Sequence, residues 1–156
     1  MRHFWVDRIT ALEPRAFAEG VKCVALAEDA FTDHFPGNPV FPGIYVLEGL
    51  AQTGGVLVEE SCGGERFAVM ASVDRARFAS FARPGDRLRY RVELEALEET
   101  MARVRGAATV DGRAVADARI SFRVVPTERV IPPLARPYWQ QMKDVWRGRL
   151  PELADA

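Results

Sequence analysis

The chain is poor in the residues that ligate metals or staple small folds. Its 156 residues include two cysteines, Cys23 and Cys62, and two histidines, His3 and His34. Those cysteines form neither a metal-ligand spacing nor a disulfide framework, so no metal site is expected. With no signal-peptide pattern and no apolar run long enough to span a bilayer, the expected setting is a reducing cytoplasm. Excess charge is also missing. A formal net charge of -1 argues against a general nucleic-acid or membrane-surface role. No internal repeat or low-complexity segment divides the chain. Its length, with 48% hydrophobic and 28% charged residues, suits one compact globular unit.

What is present is concentrated between Phe31 and Gly55, in FTDHFPGNPVFPGIYVLEGLAQTGG. From His34 to Pro42 the prolines Pro36, Pro39 and Pro42 stiffen the backbone and keep it extended. From Gly43 to about Val58 there is no proline, and the residues read as a helix of roughly 24 Å. It is apolar on nearly every face, the pattern of a buried helix. Glu48 and Gln52 interrupt it four residues apart, on one face, with Tyr45 one turn before. A buried carboxylate needs a partner or stays protonated, so Glu48 is a candidate acid. His34 supplies a candidate base. The N–H of Gly43, at the positive end of the helix dipole, suits an oxygen that becomes negative during a reaction. Each has a structural alternative: His34 as a turn residue, Glu48 as the partner of a sheet arginine, and Gly43 as the hinge of a tight turn.

Around this stretch the periodicity predicts strands. Phe4 to Ile9 opens the chain as a strand or turn and breaks at Leu12-Glu13-Pro14. Ala18 to Ala27 reads as a strand, with Cys23 as a small core residue, and Cys62 as a turn residue after the helix. Phe67 to Val73 is a further strand, followed by a loop from Arg77 to Gly85. Leu88, Tyr90, Val92, Leu94 and Ala96 alternate with Arg87, Arg89, Arg91, Glu93 and Glu95 in the clearest two-residue period. The partner strand, Met101 to Val110, turns at Asp111-Gly112, a type I′ hairpin pair. The return strand aligns Ala114, Ala116, Ala118, Ile120, Phe122 and Val124. One buried helix and several antiparallel strands make an α+β fold, with the sheet wrapped around the helix. Residues 127–156 form a C-terminal extension to a domain of residues 1–126. Pro137 is placed to start a helix, and Tyr138, Met142, Val145 and Trp146 form a stripe for packing on the same domain or a neighbouring subunit.

HFPGNPVFPG followed by EGLAQ closely resembles the signature of the FabZ-type 3-hydroxyacyl-[acyl-carrier-protein] dehydratases, a hotdog-fold family. The similarity extends to Phe4-Trp5-Val6-Asp7-Arg8-Ile9, Asp74-Arg75-Ala76-Arg77-Phe78 and Arg83-Pro84-Gly85-Asp86, so it spans residues 4 to 125. Asp33 and Gly49 stand where the family commonly has glycine and alanine. The resemblance implies a hotdog that dimerises into a double hotdog, with a trimer of dimers as a further assembly. It assigns catalysis to His34 and Glu48, fourteen residues apart and meeting across the dimer interface, and thioester binding to Gly43. The substrate would be a 3-hydroxyacyl thioester on the phosphopantetheine arm of acyl carrier protein, the product a trans-2-enoyl thioester, with no metal or redox cofactor. Phe35, Val40, Phe41, Pro42 and Gln52 are the expected walls of an acyl tunnel, although packing of the loop explains the first four equally well. Arg75, Arg77 and Arg83, with Arg87 and Arg89 nearby, are the expected contact for the acidic carrier, although a solvated strand face also explains the last two. Two other classes fit the same fold: a hotdog acyl thioesterase, which would not need His34, and a non-catalytic acyl-binding hotdog protein.

Overall fold

The computed structural model describes residues 4–149, so His3 falls outside them. Among the described residues the elements are β1 (Arg8–Glu13), β2 (Phe17–Cys23), α1 (Gly43–Ser61), β3 (Arg66–Phe78), β4 (Arg87–Leu97), β5 (Met101–Val110), β6 (Arg113–Pro126) and α2 (Arg136–Trp146). The strands form one antiparallel sheet in the order β1-β2-β4-β5-β6-β3. The sheet curls around α1, which is the hotdog architecture. No helix among the described residues is long and apolar enough to cross a membrane.

The centre of the sheet follows the sequence period. Leu88, Tyr90 and Val92 of β4 are buried, as are Val104 and Ala108 of β5 and Ile120 and Phe122 of β6. Leu50, Leu57 and Val58 of α1 pack among them. Asp111 and Gly112 have φ of 48° and 80°, the positive pair that a type I′ turn needs to match strand twist. The alternation fails past Leu94 because a bulge between Leu94 and Ala96 turns Ala96 outward.

Other boundaries depart from the sequence reading. The first strand begins at Arg8 and runs through Glu13 because it pairs with β2 along that length. The second ends at Cys23, which is exposed, so Cys23 is not a core residue. Lys22 is the buried side chain there, paired with Glu28 at 2.7 Å and Asp7 at 3.3 Å. The third strand continues five residues past Val73 to Phe78. Asp74 and Arg75 do not stop it, because it lies at the sheet edge where charged side chains stay in water. In α2 the face against the protein is Trp139, Lys143 and Trp146, spaced i, i+4, i+7, whereas Tyr138 is 58% exposed and Val145 also points outward. Trp146 packs edge-on to Phe4 with ring centroids 5.1 Å apart, and Trp139 lies against Phe67 at 5.4 Å.

Gly49 has a specific structural reason. A Cβ there would stand 2.4 Å from the Tyr90 ring and 2.9 Å from the Trp5 carbonyl oxygen. Tyr90 is fully buried and cannot retreat. Gly55 differs, since its added Cβ would meet only the Ala68 methyl group at 4.0 Å. Gly49→Ala is therefore expected to lose about 1–3 kcal/mol in urea unfolding, overpacking outweighing the gain in helix propensity. Gly55→Ala should gain up to about 1 kcal/mol in the same measurement. Equal stability of the two variants would contradict this account.

Candidate active site

The motif loop is held by backbone bonds on both sides of its histidine. The N–H of His34 donates to the Ala30 carbonyl at 2.9 Å, and the N–H of Val40 donates to the His34 carbonyl at 2.9 Å. Asn38 and Phe35 exchange two further bonds across the turn. Arg83 reaches over from the β3–β4 connection, its Nη1 donating to Asn38 Oδ1 at 2.8 Å and to the Pro39 carbonyl at 3.2 Å. Phe41 forms a bridge with Ala82 beside it. The half-buried His34 ring stacks on Phe35 with centroids 4.2 Å apart, and Asp33 is exposed.

Pro42 ends the loop and Gly43 begins α1. As the first helical residue, Gly43 has no carbonyl one turn back to bond its N–H. The Phe78 ring lies over it, 2.9 Å from where a Cβ would be. Any larger residue at this position would have to push that ring aside before the N–H could be approached.

Glu48 is half-buried and partnered, not an isolated carboxylate in an apolar helix. Gln52 Nε2 donates to Glu48 Oε1 at 3.0 Å, and Gln52 Oε1 accepts the N–H of Trp5 at 2.9 Å. The Trp5 bond fixes which end of the amide is the donor. Trp5 is itself clamped, stacked on Tyr45 with centroids 3.9 Å apart.

Glu48 and Gln52 line a cavity of about 220 Å³ that runs along α1 past Gly55 and Val56 to Glu59. Phe67, Ala68 and Met70 of β3 and Phe122 of β6 form the sheet side, while Phe4, Trp139 and Trp146 close it from the ends of the chain. The walls are mostly apolar, so the space suits a hydrocarbon chain with polar groups at fixed points.

Of the expected site residues, the structure brings Glu48 and Gln52 together on this cavity; His34 does not line it in the single chain. Val40, Phe41 and Pro42 are interior residues that do not line this cavity in the single chain, and Phe41 packs on Trp5, Phe31 and Tyr45. The apolar loop buries them because it must cover the N-terminal end of α1. Phe35 is half exposed and lines a separate surface groove with Leu26 and Phe31. Arg75 and Arg77 are exposed on β3, Arg75 lying 3.9 Å from Asp117, but Arg83 is committed to the motif loop.

Glu59 escaped the sequence reading. It stands eleven residues after Glu48, three helical turns along the same face, and that spacing was the available signal. It is 4% exposed. Burial pushes its carboxyl up to about 7, while the Lys143 ammonium and the Ala68 N–H oppose the shift. The folded state thus holds this proton more tightly than the unfolded chain, whose value lies near 4.5. Stability should fall as pH rises through the interval between these values, and stay lower above it. Unfolding at pH 5 and pH 8 is expected to differ by about 3 kcal/mol more in the wild type than in Glu59→Gln. Parallel pH profiles of the two proteins would rule the effect out.

Residues 3–119 match the family model described as a FabA-like domain. The chain is 39% identical over 126 residues to the 3-hydroxyacyl-[acyl-carrier-protein] dehydratase FabZ of Aliarcobacter butzleri, covering 77% of this chain and 86% of that protein. It is 40% identical over 124 residues to the protein of the same name from Bacillus pumilus, covering 78% and 85%. Among solved structures, a hypothetical thioesterase with coenzyme A from Streptococcus pneumoniae superposes with a TM-score of 0.62 at 16% identity, covering 76% of this chain and 85% of that one. A Haemophilus influenzae thioesterase gives a TM-score of 0.62 at 13% identity, covering 76% and 77%. These likenesses establish the shared hotdog fold. With the helix carboxylate beside its apolar cavity and the identity over three-quarters of its length, the chain belongs to the FabZ-type 3-hydroxyacyl-[acyl-carrier-protein] dehydratase family.

Proposed function

We propose that the chain removes water from 3-hydroxyacyl thioesters carried on acyl carrier protein, giving trans-2-enoyl thioesters for fatty acid synthesis. The observation that carries this reading is Glu48, oriented by Gln52 on an apolar cavity, in a chain 39% identical to a FabZ dehydratase. The reaction moves protons and a hydroxyl group without net oxidation, so no redox cofactor is part of the proposal.

The thioester oxygen accepts a hydrogen bond from the Gly43 N–H, which favours negative charge there as the α-proton leaves. Neutral His34 takes that proton. Protonated Glu48 gives its proton to the departing 3-hydroxyl group, which leaves as water. Gln52 already occupies Glu48 Oε1 as an acceptor, so the transferable proton belongs on Oε2. After turnover His34 carries a proton and Glu48 lacks one; returning to the starting forms completes the cycle.

His34 and the Glu48 cavity do not meet within one chain, and β3 supports a way to join them. It is a 13-residue edge strand with Val69, Met70 and Val73 exposed, an uncovered edge of the kind that pairs with a second copy. In the double hotdog proposed here, two β3 edges join and His34 of one protomer faces Glu48 of the partner subunit. Arg75 and Arg77 then flank the entrance as contacts for the acidic carrier.

The test is an assay of enoyl formation, and of the reverse hydration, with 3-hydroxyacyl groups on acyl carrier protein. Enoyl product without free thiol is expected. Release of free thiol without enoyl product would instead identify an acyl thioesterase, and binding without either product an acyl-binding protein.

A further inference from the structure

We propose that α2 is the floor of the acyl cavity, and that Trp139 and Trp146 set the longest acyl chain the protein accepts. The proposal rests on the dehydratase reading and names its substrate class as 3-hydroxyacyl groups whose tails end within the stretch from Glu48 to Glu59. Helix α2 lies beyond residues 3–119, the part of the chain that the family model matches, so the floor is built from residues outside that match.

The geometry is linear. The stretch of α1 that lines the cavity starts at Glu48 and ends at Glu59, eleven residues or roughly 16 Å along the helix axis. A chain bound with its 3-hydroxyl group at Glu48 would extend along Gln52 and Gly55 towards Glu59. There it meets α2. Trp139 and Trp146 stand edge-to-face with centroids 5.9 Å apart, braced by Phe67 on one side and Phe4 on the other. Arg147 is paired with Glu60, and the buried Lys143 acts on Glu59, so α2 is anchored to α1 beside the cavity end. At about 220 Å³ the space is smaller than the roughly 300–1,000 Å³ typical of pockets for drug-sized ligands. The far end is also unwelcoming to more hydrocarbon, because a longer tail would press on a buried carboxyl group and two interlocked indoles.

The experiment measures dehydration across a graded series of 3-hydroxyacyl chain lengths on acyl carrier protein. In parallel, it measures calorimetric binding of unreactive saturated acyl-pantetheine amides of the same lengths. The wild type should show a sharp length limit in both. Trp139→Ala, at the half-buried indole, should raise kcat/KM for the first excluded length by about tenfold or more, since one methylene in an apolar pocket carries that much discrimination. Gly55→Val, which narrows the cavity from the α1 side, should move the limit the other way. Limits that stay fixed in folded Trp139→Ala and Gly55→Val would overturn the proposal, as would a wild type with no length limit. If Trp139→Ala does not fold, Trp139→Leu and Gly55→Val decide by the same criterion. Absence of enoyl product at every length, with an amide limit that still moves, would discard the dehydratase reading and leave the floor in place.

Discussion

Mixing subunits that carry His34→Ala with subunits that carry Glu48→Gln is expected to restore about a quarter of wild-type turnover from two nearly inactive proteins. Alone, each variant should lower dehydration by about a hundredfold to ten-thousandfold, the usual contribution of one positioned proton donor or acceptor. Neither side chain is in the core, both being half-buried, so melting temperatures should change little. Recovery follows from the symmetry of a site shared between protomers. In a mixed dimer one site holds both altered residues, while the other combines an unaltered His34 with an unaltered Glu48. Random assembly makes half the dimers mixed, each with one working site of two. If both groups acted from one chain, every site would stay impaired and mixing would recover nothing. Mass measurement of the mixed dimers keeps a null result meaningful: mixed dimers without activity would refute the shared site.

A lysine at Val73 should both separate the protomers and abolish turnover. Val73 is exposed in the single chain, lies midway along β3, and does not line the cavity, so its replacement leaves the pocket walls intact. A charge on this face would be buried when two β3 strands pair, and such charges are among the most effective blocks to edge pairing. Light scattering should give a monomer for Val73→Lys. Activity should drop to about one per cent or less, because a monomer holds only half of each proton-transfer pair. The hotdog itself should survive, since β3 pairs with β6 along its other side. A fully active monomer would show that His34 and Glu48 need no second chain.

Much of this was legible in the sequence, for physical reasons that also explain the omissions. The β4–β5–β6 meander was readable because each strand has one dry and one wet face, and because Asp111-Gly112 is a strong local signal. The helix start was readable from Pro42-Gly43, since proline cannot continue the loop into an ordinary helical hydrogen bond. The length of β3 was hidden because an edge strand need not alternate, and its charged stretch reads as a loop. Cys23 was placed in the core for a related reason: its neighbour Lys22 is the buried one, and the two carboxylate partners of Lys22, Asp7 and Glu28, lie outside its own strand. In the site, Glu48 and Gln52 were evident from their spacing within an apolar helix. Val40, Phe41 and Pro42 could not be assigned between tunnel and loop packing, because apolar residues beside such a loop look alike whether they face a ligand or the core. The indoles of α2 could not be connected to the cavity from sequence alone. They are some ninety residues from Glu48, and only the folded path of the tail brings them to it.

The two margins of the sheet are not equivalent. Along β1 a bulge between Ile9 and Ala11 interrupts the regular spacing, and α2 packs beside it. β3 has irregularities of its own, between Met70 and Ser72 and between Val73 and Arg75, and meets α2 at its start through Phe67 and Trp139, but from Val69 to Phe78 it is exposed. A protein with two equally available margins would recruit copies without end and grow into filaments. With α2 packed beside β1, the association proposed above would run through the exposed part of β3 and stop at a pair. Deleting the tail would then threaten solubility as well as substrate choice.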